Sequence, residues 1–192
     1  MASKITNKKV VVEGIAEWAK VFESNRDKVG YKGAYEDTNG RTSVNLILDE
    51  DNYALLRQGG SLKRGTPDAD GRGTSVKVDR KWETDKDWDC GAPEIYRADG
   101  NPWVLETDGY IGNGSKVRVH LTVTHFPDRG VASTRLDAIK VLELVPYEGA
   151  GSDLTRDESG VYGQSKPSVT QKPKEPAPKP MAPAEIEDEI PF

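Results

Sequence analysis

The clearest pattern in the chain runs from Lys116 to Phe126. Val117, Val119, Leu121 and Val123 alternate with Lys116, Arg118, His120, Thr122 and Thr124. A period of two marks a strand with one core face and one basic, polar face. Residues 8–22 read as a first strand or a bent pair of strands, with Gly14 as the candidate kink or bulge. Tyr31–Tyr35 and Ser43–Leu48 read as short strands. The Asp37-Thr-Asn-Gly40 turn between them suits a hairpin, because Asn-Gly tolerates positive φ. The run from Asp49 to Gln58 predicts a short helix, with acids in its first turn and the Gly59-Gly60 stop after it. Residues 59–73 are glycine-rich and carry Lys63, Arg64 and Arg72, which predicts a mobile basic loop. Thr74–Glu83 is the next strand and residues 84–100 read as irregular. Leu136–Val145 is the last strand, and Pro146 closes the domain. Short strands, one helix and no alternation of strand with helix predict a small, mainly all-β antiparallel barrel.

After Pro146 the pattern changes. Residues 147–184 carry six prolines between Pro167 and Pro183, interleaved with lysines, and read as a disordered linker. The last eight residues, 185–192, hold Glu185, Glu187, Asp188 and Glu189 and end in Ile190-Pro191-Phe192. An acidic peptide with an apolar end on a long tether reads as a protein-docking tip.

Composition fits this division. Hydrophobic residues make up 35% and charged residues 31%, low in apolar content for a packed chain but expected for a domain of residues 1–146 diluted by its tail. The net charge of −5 is unpromising for a nucleic-acid binder. Yet residues 147–192 contain nine acids and five bases, so most of the excess lies in the tail and the domain is nearly neutral. A neutral domain can gather its bases on one face. One cysteine, Cys90, excludes an internal disulfide. No leader-like apolar run follows Met1 and no segment is long enough to span a bilayer, so a cytoplasmic protein is expected.

The candidate chemistry is mostly excluded by order and spacing. Gly112-Asn-Gly-Ser-Lys116 has the wrong order for a phosphate loop and precedes a strand. Asp85, Asp87 and Asp89 begin like a calcium loop, but Cys90 and Tyr96 stand where Gly and Glu are needed. Cys90, His120 and His125 lack metal-ligand spacing, and no nucleophile elbow is present. The expectation is a protein without metal, cofactor or enzymatic activity.

What remains is aromatic residues interleaved with bases. Trp18, Tyr31, Tyr35, Trp82, Trp88, Tyr96, Trp103 and Tyr110 lie among Lys20, Lys32, Arg41, Lys77, Arg80, Lys81, Arg97 and Lys116. Single-stranded nucleic acid uses this combination: bases stack on aromatic faces while cations follow the phosphates. About half of the eight aromatics are expected to fill the core. Lys77, Arg80, Lys81 and Trp82 on one strand form the best cluster, followed by Lys116 and Arg118. Lys63, Arg64 and Arg72 suit a clamp, and Lys32, Tyr35 and Arg41 complete the candidate DNA-contacting set.

Several runs carry a family resemblance. Gly33-Ala-Tyr-Glu36, Pro93-Glu-Ile-Tyr-Arg-Ala-Asp-Gly-Asn-Pro102, Ile111-Gly-Asn-Gly-Ser-Lys-Val-Arg-Val119 and Leu136–Pro146 resemble the single-stranded DNA-binding proteins of T7-like tailed phages. The tip resembles that of bacterial single-stranded DNA-binding proteins. These resemblances imply an oligonucleotide-binding (OB) barrel that binds single-stranded DNA without sequence preference in phage replication and recombination. They also imply a homo-oligomer, with a dimer favoured. In the bacterial family the terminal Pro and Phe enter a partner's pocket, which implies docking by Ile190, Pro191 and Phe192. The implied partners are DNA polymerase, helicase-primase or the host's tip-binding replication and repair proteins. Strand annealing or recombination mediation is the alternative. A scaffold without DNA affinity, and a nuclease using Asp85, Asp87 and Asp89, are the readings from other classes.

Overall fold

In the computed structural model the structure describes residues 4–147. The elements run β1 (Thr6–Lys20), β2 (Arg41–Leu48), α1 (Glu50–Gln58), β3 (Thr66–Pro67), β4 (Thr74–Lys81), β5 (Glu94–Tyr96), α2 (Leu105–Asp108), β6 (Ser115–Phe126) and β7 (Val131–Glu143). The linker from residue 148 and the tip residues Glu185, Glu187, Asp188, Glu189, Ile190, Pro191 and Phe192 lie outside the described residues.

Five strands close a barrel. β1 pairs antiparallel with β2 on one edge and with β6 on the other; β2 pairs with β4 and β6 with β7. β4 and β7 meet in parallel at Asp79 and Arg135, which closes the ring. Taking only these five in chain order, the ring reads first, second, third, fifth, fourth, the connectivity of an OB fold. β3 extends the β4 edge, and β5 adds to β7 in parallel.

Alternation explains the interior. Val10 and Val12 of β1, Val44, Leu46 and Leu48 of β2, Val76 and Val78 of β4, and Val117, Val119, Leu121 and Val123 of β6 all point inward and are buried. Leu136, Ile139 and Val141 of β7 complete the core. Each such side chain contributes about 1.5–3 kcal/mol on burial. The core is wholly aliphatic among the described residues, with Phe22, Tyr53 and Trp103 packed at its margins. The expectation that half of the eight aromatics fill the core is therefore wrong. A narrow five-stranded barrel is filled by branched aliphatic side chains, and the rings are left at its surface.

α1 covers one end of the barrel. The Asp49 side chain accepts from the Asn52 N–H at 2.8 Å and caps the helix, as its acidic start predicts. Asn52 in turn accepts the Glu13 N–H at 2.8 Å, tying the helix to β1, and Leu56 is fully buried.

Five other expectations are corrected. Tyr31–Tyr35 is not a strand: Tyr31–Gly33 and Glu36–Thr38 are 3-10 turns. Gly30, Lys32 and Gly33 have φ of 69°, 55° and 77°, and such residues interrupt an extended chain. Asn39 and Gly40 do adopt positive φ, but they lead from a turn into β2. Residues 84–100 contain β5, and the last strand starts at Val131, five residues before the predicted start at Leu136. The first strand is one continuous strand of 15 residues whose bulge falls between Glu17 and Lys20, past Gly14. Gly14 marks a close approach, since a Cβ there would sit 2.5 Å from the Ile47 carbonyl oxygen.

Candidate nucleic-acid interface

The outward side of β2 and β4 follows from their register. Arg41 faces Lys81, Ser43 faces Asp79, Asn45 faces Lys77 and Ile47 faces Ser75. The intervening positions Val44, Leu46, Val76 and Val78 point into the barrel core, so these four pairs share the opposite face, on which Arg41, Asn45, Lys77 and Lys81 are partly or fully open to solvent while Ser43 and Ile47 are buried. Arg41, Lys77 and Lys81 thus lie on one surface with a single acid, Asp79.

Asp79 does not oppose Lys77 and Lys81, because it is itself neutralised. It accepts from Arg41 at 2.8 Å and from Lys63, whose ammonium reaches its other oxygen. Burial alone would raise the Asp79 carboxyl, but Lys63 and Arg41 together hold it below the usual carboxylate range. Lys77 and Lys81 carry no ion pair among the described residues and remain available for phosphates.

The loop between β1 and β2 brings aromatic residues to this face. The Tyr35 ring lies against Gly30, where an added Cβ would stand 2.6 Å from its edge. Arg41 sits over that ring at 4.9 Å, and Lys77 donates to its hydroxyl at 3.2 Å. Tyr35 therefore orients two cations. Tyr31, from the same loop, is 80% exposed, with the Lys32 ammonium 5.2 Å from its ring centroid. It offers the more open stacking surface. Trp82 follows directly on Lys81, its N–H bonded to the Gly40 carbonyl and its ring stacked under Arg26 at 4.2 Å.

Of the eleven residues predicted to contact DNA, Lys32, Tyr35, Arg41, Lys63, Lys77, Lys81 and Trp82 lie on this face or its adjoining loop. Arg64 is exposed beside Lys63 and makes no ion pair among the described residues. Three lie elsewhere. Arg80 shares the inward parity of Val76 and Val78, and at the barrel's end it turns to the Cys90 carbonyl, at 2.7 and 3.1 Å. Lys116 and Arg118 lie on β6, which shares no edge with β2 or β4, and Arg118 is paired with Glu13. The predicted clamp at 59–73 is also tied down: Arg72 bonds Glu17 at 2.7 Å and Asp68 at 2.9 Å. Tyr31 stands among the interleaved aromatics but outside the predicted contact set, and Arg26 is in neither. Only the fold of their loop shows that they border β2 and β4.

Among the described residues, no three His, Cys, Asp or Glu side chains come together as a metal site would need. No described helix is long and apolar enough to cross a membrane.

No protein-family model and no curated protein matches the sequence. Solved structures do. The crystal structure of gp2.5, a single-stranded DNA-binding protein encoded by bacteriophage T7, is 18% identical with a TM-score of 0.45 over 83% of this chain and 100% of that one. The single-stranded DNA-binding protein from bacteriophage Enc34 in complex with ssDNA is 8% identical with a TM-score of 0.49 over 73% of this chain and 89% of that one. A further structure of the single-stranded DNA-binding protein from bacteriophage Enc34 is 10% identical with a TM-score of 0.46 over 74% of this chain and 85% of that one. This chain is similar to both phage proteins.

Proposed function

We propose that this chain is a sequence-independent single-stranded DNA-binding protein of phage DNA replication and recombination. It acts without enzymatic activity in the cytoplasm of the host cell. The observation that carries the reading is the outer face of β2 and β4. Lys77 and Lys81 are set there around an acid already neutralised by Arg41 and Lys63, next to Tyr31 and Tyr35 of the β1–β2 loop and Trp82 at the end of β4. Phosphates follow the cations and bases stack on the rings, so affinity does not depend on sequence. A face one strand pair wide, bordered by loops, admits a flexible single strand more readily than a rigid duplex.

In this reading residues 1–146 hold the strand and the segment 147–184 tethers the tip. Ile190, Pro191 and Phe192 anchor in a pocket on a replication or repair protein, with Glu185, Glu187, Asp188 and Glu189 steering toward its basic rim. A DNA polymerase, a helicase-primase or a host tip-binding protein is the proposed partner, and a dimer the proposed assembly.

The test is fluorescence anisotropy of a labelled oligothymidine, with a matched duplex as control, titrated at several salt concentrations. Preference for the single strand is expected, with log affinity falling linearly against log salt by about 0.7 per phosphate contacted. Equal, weak binding to both DNAs refutes the reading and leaves a protein-binding scaffold.

A further inference from the structure

A second cluster of aromatic residues lies outside the β2–β4 face. Trp18 has φ of 51°, in the left-handed region that a bulky residue rarely occupies, and it is 65% exposed. Its strand explains the exposure. Ala16 of β1 is buried, and strict alternation would turn Trp18 inward as well. The bulge between Glu17 and Lys20 adds one residue, so the next buried position after Ala16 becomes Val21 and Trp18 is rotated out. The Asn113 side-chain oxygen accepts the Trp18 N–H at 2.7 Å and holds the strained turn in place.

The indole borders a groove of about 270 Å³ shared with Tyr110, Tyr147, Lys20 and Asn113. Tyr110 is fixed by edge contacts with Phe22 at 5.6 Å and Tyr147 at 6.2 Å, and its hydroxyl donates to Ser24 at 2.9 Å. The Asn113 amide nitrogen has no partner among the described residues. The groove therefore combines rigid aromatic walls, one open amide donor and one half-exposed ammonium. That lining fits a flat ring with polar edges attached to a phosphate chain.

The groove also adjoins the proposed DNA face. Lys20 pairs with Ser43 of β2, which pairs in turn with Asp79 of β4. Lys20 is therefore two strand spacings, about 10 Å, from Asp79. Its contact with Asp27 is loose, at 3.9 Å.

We propose that the groove between Trp18, Tyr110 and Tyr147 is a second nucleobase subsite, which takes up a base from a single strand leaving the β2–β4 face past Lys20. This rests on the reading of that face as a single-stranded DNA site. Trp18 supplies the stacking platform, and its strained backbone is the device that presents it.

The test is photocrosslinking of the full chain to an iododeoxyuridine-substituted oligothymidine, with the attached peptide identified by mass spectrometry, alongside anisotropy of Trp18→Ala and Trp18→Phe. Crosslinks to Trp18, Tyr110 or Tyr147 are expected. Trp18→Ala should bind about 5- to 150-fold more weakly, with Trp18→Phe largely restored. Crosslinks confined to Tyr31, Tyr35 or Trp82, from a protein that binds normally, overturn the subsite and leave the main face standing. Failure of the wild-type chain to bind any single strand removes both. Trp18 emission, taken as the difference between the wild type and Trp18→Phe, that responds to removal of residues 148–192 but not to DNA assigns the groove to the chain's own tail, and also overturns the proposal. The crosslinking uses the wild-type protein and so decides the matter even if Trp18→Ala does not fold.

Discussion

Asp79→Asn should strengthen single-stranded DNA binding while weakening the fold. The Asp79 side chain is 14% exposed and holds both Arg41 and Lys63. Asparagine keeps the size and one acceptor oxygen but removes the charge, so both cations become available to phosphates. If each takes one, the slope of log affinity against log salt steepens by about 0.7 per cation, or about 1.4 in total. The gain is then largest at low salt and fades as salt rises. The cost falls on stability. Breaking a buried pair costs about 3–5 kcal/mol, but Arg41 and Lys63 are a quarter to a third exposed, which reduces it to about 1–2 kcal/mol. That corresponds to a loss of about 3–8 °C in Tm. The pH dependence gives an independent check. The native carboxyl lies below its unfolded value, so its contribution is fully present above the unfolded pKa of about 4 and disappears as pH falls through the native value. The stability gap between wild type and variant should therefore close below about pH 4. The assays are oligothymidine anisotropy across salt and thermal unfolding across pH. An unchanged or shallower salt slope in a folded Asp79→Asn protein refutes the argument that Asp79 holds Arg41 and Lys63 away from the DNA.

Three further outcomes are expected. Lys77→Ala should reduce the salt slope by about 0.7, whereas Arg118→Ala, on the far strand and paired with Glu13, should leave it unchanged; equal effects in the same titration would contradict the placement of the site on β2 and β4. Gly14→Ala would put a methyl 2.5 Å from the Ile47 carbonyl oxygen and 2.9 Å from Leu48 Cδ2, separating β1 from β2 at a cost of about 1–3 kcal/mol, read by chemical denaturation. On the further hypothesis that the four side-chain carboxylates of residues 185–192 compete with DNA for the basic face, deleting those residues should tighten oligothymidine binding, most visibly at low salt, and unchanged affinity at low salt would refute it.

Much of the barrel is legible in the sequence because alternation is a local signal. Val117 to Val123 specify which face of β6 is buried, and Asp49 with Gly59 and Gly60 bounds α1 within a residue. The shared face of Lys77 and Lys81 is legible for the same reason, since residues an even number apart on a strand share a face, whereas Trp82 joins them only because the chain leaves the strand after Lys81. Arg80 shows the limit: it sits between two site residues in sequence and on the opposite side in space, because a strand turns by half a revolution at each step. Tyr31–Tyr35 departs from the expected strand because Gly30, Lys32 and Gly33 adopt positive φ, which breaks the extended chain. The tertiary structure alone decided which cations are free. Arg72 and Lys63 look alike in sequence, yet Glu17, Asp68 and Asp79 hold them in ion pairs across 4 to 55 positions of chain. It alone decided the fate of Trp18 as well. Periodicity assigns that residue to the core, and a one-residue bulge, held by an asparagine 95 residues away, turns it to the surface. Patterning determines which residues a strand can bury, because it depends only on near neighbours; which charges are spent and which rings are shown depends on partners that only the closed barrel brings within reach.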